Sequence, residues 1–144
     1  MMRNLLKRLR LADAGSVAIE FALIGPALIA MLLGVMQVGI GMQNYNALRG
    51  ISSDMARYSM VQYQTGNKLS DGQLTAYARS IATRSPYSLD GARLATQILT
   101  PNTQRVTGAT EKTIVLTYEV PTVLGVIGFN DVPISYSRPV FLLV

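Results

Sequence analysis

The sequence predicts an α+β protein with a long N-terminal transmembrane and stalk helix, a second short helix, and a small antiparallel sheet of about three strands. Three observations lead there. Every residue from Phe21 through Met36 is apolar, Gly or Pro, matching the core of a bilayer-spanning helix of roughly 20 residues. A capped segment with three- and four-residue apolar spacing follows Ser70, as an amphipathic helix requires. Beyond Pro86 the apolar spacing falls to two, the period of a strand.

Charge placement orients the first of these elements. Arg3, Lys7, Arg8 and Arg10 against Asp13 put +3 into the first fourteen of 144 residues, leaving only +2 of the total +5 for the rest. A basic cluster directly before an apolar span marks the cytoplasmic side. The expected division is a basic cytoplasmic leader over 1–15, a transmembrane helix over 16–42 and an extracytoplasmic α+β domain over 43–144. That makes the expected protein a single-pass one, with its N-terminus cytoplasmic and its C-terminal domain on the far side of the membrane. The later basic residues are scattered singly, with no recognition motif, so no nucleic-acid partner is expected.

Composition narrows the chemistry. Cysteine and histidine are both absent, which removes the usual nucleophile and base pairs and the soft metal ligands. Asp71, Asp90, Glu111, Glu119 and Asp131 lie far apart and lack calcium-loop spacing, and no glycine-rich phosphate motif occurs. Ser70, two residues from Lys68, is explained as a helix cap. The expectation is therefore no enzyme, no catalytic residue, no metal and no cofactor.

The stretch Gly15-Ser16-Val17-Ala18-Ile19-Glu20-Phe21 places an acid where the span begins. Read as a secretory signal, the chain offers Gly39 and Gly41 as the small pair before a cut at Met42, but Glu20 and Pro26 then lie in the apolar core without purpose. A charge at a span's centre costs about 2.5–3.5 kcal/mol on insertion scales, so an intramembrane acid ordinarily has a partner. The Gly15-Ser16 junction, with Glu20 five residues after the glycine, resembles a type IV prepilin signal, in which a membrane peptidase cuts after Gly. Such a cut gives Ser16 an α-ammonium group one helical turn from Glu20. In a stack of subunits, one carboxylate can face a neighbour's ammonium. Snorkelling of Glu20 to the headgroups is the plainer alternative.

Within the span, Pro26 removes a backbone donor and tends to bend a helix, a loss that neighbouring helices can make good in a membrane. Ala30 and Gly34 form a small-xxx-small pair that permits close packing. With Glu20-Phe21-Ala22-Leu23 and basic leader, these residues resemble the start of TadE-like proteins, minor pseudopilins of tight-adherence (Flp) pilus systems. The matching region covers about 30 residues. TadF-like and TadG-like sister families have similar openings. The resemblance implies cleavage by a prepilin peptidase after Gly15, and assembly contacts through Glu20 and Phe21. It also implies retention in the bacterial inner membrane, with the C-terminal domain periplasmic. The residues themselves make Pro26, Ala30 and Gly34 the helix bending and packing positions, with plain lipid-compatible packing expected over specific dimerisation. The partners the resemblance implies are that peptidase, other pilins or pseudopilins, the inner-membrane pilus platform and lipid. The alternative is an unprocessed, signal-anchored periplasmic protein that binds a ligand or another protein.

Past the span, Leu48, Ile51, Met55 and Tyr58 continue a helical stripe to about Tyr63, with Arg49, Asp54 and Arg57 on the other side. Ser70 and Gln73 form a capping box for a helix of about 14 residues stopped before Pro86, with Leu74, Tyr77, Ala78 and Ile81 as its apolar stripe. Strands are expected over 92–99, 112–120 and 134–144. The helix-then-sheet order resembles the pilin plan. The loop from Pro121 to Pro133 contains Val123, Leu124, Val126, Ile127 and Phe129; exposed, it would suit a partner or the membrane surface, and burial against the stalk helix is the expectation.

Overall fold

A computed structural model describes residues 13–125 and 128–143. Its elements are helix α1 (Asp13–Gln64), helix α2 (Asp71–Ala82) and strands β1 (Leu94–Leu99), β2 (Ala109–Val120) and β3 (Val132–Leu143). The described residues fall into two compact units, one ending at Gln37 and one running from Val38.

In the first unit, α1 passes through Pro26 without ending. Its apolar side chains are exposed all round, Phe21 by 76% and Leu32 by 70%. A helix oily on every side matches an apolar surrounding rather than water. By length and composition it can cross a membrane.

In the second unit the predicted stripe is the core. Leu48, Ile51 and Met55 are fully buried, and Arg49 and Arg57 are exposed. Helix α2 starts as its sequence requires: Gln73 N donates to Ser70 Oγ at 3.3 Å, and Ser70 N donates to Gln73 Oε1 at 2.9 Å. It ends at Ala82, short of the expected length. Thr83 N bonds Arg79 O at 3.4 Å, Arg84 N bonds Ile81 O at 3.2 Å and Leu89 N bonds Ala82 O at 2.8 Å, so the chain that follows satisfies terminal carbonyls by turning away rather than by prolonging the helix to Pro86.

The sheet is antiparallel in the order β1-β2-β3, with Leu116 opposite both Thr96 and Tyr136. Ile114, Leu116, Tyr118 and Val120 join Leu48, Ile51, Met55, Leu74 and Ala78 in one buried cluster, which is the alternation expected of a strand with one covered face. Glu119 N donates to Arg93 O at 3.2 Å. Odd residues of β2 therefore bond towards β1 and even ones towards β3. Pro133 and Pro139 pair with Glu119 and Thr113, so both prolines occupy positions whose backbone points off the sheet. They cost the ladder nothing and blunt that edge.

One expectation is corrected. The oily loop is not simply core: Val123 and Leu124 are half-buried, but Phe129 is 60% exposed. Gly128 takes a φ of 90° in a turn closed by its N–H to Gly125 O at 3.1 Å, and this turn leaves the Phe129 ring off the core. Val126 and Ile127 lie outside the described residues.

Candidate functional site

The sequence-derived site lies wholly on the first unit's part of α1. Helical spacing places Ser16 and Glu20 on neighbouring turns, and the Ser16 hydroxyl donates to Glu20 Oε1 at 3.4 Å, with both residues exposed. That is a weak bond by distance. Phe21 projects outward, its ring in ordinary contact with the space over Gly25, where an added Cβ would sit 3.8 Å from Cε1.

Among the described residues nothing lies within 4 Å of a Cβ added at Gly15 or Gly34. Neither needs glycine for packing against the described residues, yet glycine inside a helix costs about 1 kcal/mol relative to alanine. Pro26, Ala30 and Gly34 follow one another at four-residue steps, and Ala18 and Ala22 extend the same row backwards. Such a row is one ridge of a helix, and small side chains along it permit close approach by another helix. The two alanines were legible in the sequence by running the four-residue step towards the N-terminus.

Residues 15–57 match the family model described as TadE-like protein. This segment is TadE-like. No curated protein and no solved structure matches the chain. The TadE-like segment begins at Gly15 and ends after Met55, so it takes in both the exposed apolar run and the buried stripe.

The second unit holds its loops by ion pairs. Arg93 pairs with Asp131, whose other oxygen accepts from Thr122 N at 2.9 Å. The Arg93 contact, aided by the Thr122 N–H, holds the Asp131 carboxyl below its ordinary pKa, against the opposing effect of burial. Glu111 is only 1% exposed and pairs with Arg105, whose guanidinium also lies 5.5 Å from the Phe141 ring. Hydrogen bonding to Arg105 lowers the Glu111 pKa although burial works to raise it. Tyr87 OH donates to Asp54 Oδ2 at 2.8 Å; burial, then that bond, push its phenol up to about 12.

An open groove of about 890 Å³ runs between α2 and β1, lined by Thr75, Arg79, Thr83, Leu94 and Thr96. Arg79 reaches across to donate to Gly91 O at 3.3 Å. The lining offers no paired nucleophile and base.

Proposed function

We propose that the chain is a membrane-anchored minor pseudopilin of tight-adherence pilus assembly, trimmed by a prepilin peptidase after Gly15. The anchor is the helix over 16–42, with the N-terminus cytoplasmic and the domain from 43 onward outside the inner membrane. The observation that carries this reading is the TadE-like match starting at Gly15 on a helix with exposed apolar sides and Glu20 at the start of its apolar run.

Each part then has a task. Gly15 fits a narrow peptidase site, which supplies a reason for glycine that packing against the described residues does not. The retained helix is drawn to other pilins and the platform through its small-residue ridge and Phe21. Glu20 faces the Ser16 ammonium of an adjacent subunit, and attraction in a poorly screened site offsets part of the burial cost of both charges. The domain selects partners, and no step needs a cofactor.

Substitution of Gly15 tests the processing step. In cells with an active prepilin peptidase, Gly15→Leu should accumulate as the longer precursor. Normal trimming of that variant would remove Gly15 from the cleavage site.

A further inference from the structure

The unit that begins at Val38 has an apolar corner whose position follows from the way β3 lies along α1. Tyr136 meets Tyr45 edge-on with centroids 5.8 Å apart, and Arg138 Nη1 donates to Ser53 Oγ at 2.8 Å. Tyr63 OH donates at 3.3 Å to Thr110, the cross-strand partner of Leu142. Strand and helix therefore run in the same direction, and Ile134 shares an apolar pocket with Val38, Gly41, Met42 and Tyr45.

A strand rises about 3.3 Å per residue and a helix about 1.5 Å. Stepping back from Ile134 to Val132 corresponds to about four helix residues, which brings Val132 level with Val38. The turn before Val132 thus occupies the end of this unit where the chain leads into the apolar run Phe21–Met36. There Phe129 is 60% exposed, Val132 48%, Val38 63% and Met42 64%. No charge occurs from Pro121 to Asn130, and Asp131 is paired with Arg93.

We propose that this corner is a second membrane contact, with Phe129 and Val132 resting in the headgroup and acyl boundary beside the exit of α1. The inference rests on α1 being the membrane anchor. An exposed aromatic and an aliphatic residue at that level reach the depth, roughly 5–10 Å, at which apolar side chains enter the interface. Tyr45, 41% exposed beside Ile134, has the amphipathic ring favoured there. A single helix leaves a domain free to swivel on the bilayer; a second contact on one side limits its tilt and turns one face of the domain outward.

The chain contains no tryptophan, so single insertions report without background. Full-length Phe129→Trp, Val132→Trp, Phe21→Trp and Val106→Trp proteins would be reconstituted into phosphatidylcholine and phosphatidylglycerol vesicles with and without brominated lipid. Val106 lies in the β1–β2 loop, at the other end of the sheet, and is 43% exposed. The proposal predicts that tryptophan at 129 and 132 emits at shorter wavelength than at 106 and loses most of its intensity to lipid brominated near the headgroup, while 106 is quenched only by aqueous iodide. Quenching at 129 and 132 like that at 106 overturns it. So does a blue-shifted emission insensitive to brominated lipid, which would signify a protein contact. Tryptophan at 21 is the separate control: its quenching by deeply brominated lipid upholds the anchor whatever happens at 129, and its failure to quench overturns the anchor and this inference together.

Discussion

Ser16 Oγ lies 3.4 Å from Glu20 Oε1, one turn along α1, so the carboxylate already points towards the residue that becomes the N-terminus if the chain is cut after Gly15. This local geometry separates two roles for the acid. If Glu20 pairs with a neighbour's ammonium, Glu20→Leu should insert as well as or better than the parent, since the charge cost is removed, and should fail to assemble. Glu20→Gln keeps the shape without the charge and should also assemble poorly. Pulldown of partner pilins and counts of surface pili report the outcome. Wild-type assembly by both variants would show that the carboxylate makes no such contact.

Ser52 gives a stability prediction of opposite sign to the usual one. Its side chain is fully buried on α1, and its hydroxyl has no hydrogen-bond partner among the described residues. An unpaired buried hydroxyl costs about 1–3 kcal/mol by mutational measures, and alanine is the better helix former. Ser52→Ala should stabilise the domain by about 1 kcal/mol, read as a raised unfolding temperature in detergent. A lowered one would mean that the hydroxyl is satisfied.

Gly50 and Tyr87 form a coupled pair. A Cβ at Gly50 would come within 2.8 Å of Tyr87 Oη and 2.9 Å of Cζ, and moving the ring breaks its bond to Asp54. Overpacking costs about 1–3 kcal/mol, which exceeds the helix gain of about 1 kcal/mol for replacing glycine. Gly50→Ala should therefore destabilise the parent and stabilise a Tyr87→Ala background. The same sign in both backgrounds would disprove the contact.

The ionisable groups predict the shape of the stability curve against pH. Asp131 and Glu111 have folded-state pKa values below the ordinary range. Their contribution is complete above the unfolded value of about 4 and is lost as pH falls through the depressed folded values. Tyr87 is the converse. Raised from 10.0 to about 12, it contributes fully below pH 10 and loses that contribution as pH rises towards 12. Asp131→Asn should flatten the acid limb of unfolding temperature against pH, and Tyr87→Phe the alkaline limb. A limb unchanged by its substitution would show that another group produces it.

What was legible in the sequence was local. The Ser70–Gln73 capping box involves residues three apart, the Leu48–Ile51–Met55 stripe repeats within two turns, and the alternation from Ile114 to Val120 needs only a pleat. Ser16 and Glu20 are likewise four residues apart, so their juxtaposition followed from helix geometry. The misses lie outside any apolar period, in a loop, a turn or a contact between separate elements. Glu111 is buried because Arg105 folds back over it, which no pattern in β2 announces. Gly50 meets Tyr87 from another part of the chain, and Phe129 is exposed by the turn at Gly128 despite its apolar neighbours. Glu20's proposed partner belongs to another subunit, beyond the reach of any single-chain pattern.

The most direct test of the account is the N-terminal sequence of the protein extracted from membranes of cells with an active prepilin peptidase. The account predicts a mature chain beginning at Ser16 with the apolar helix retained. A chain that still carries residues 1–15, or one beginning at Met42, would contradict it.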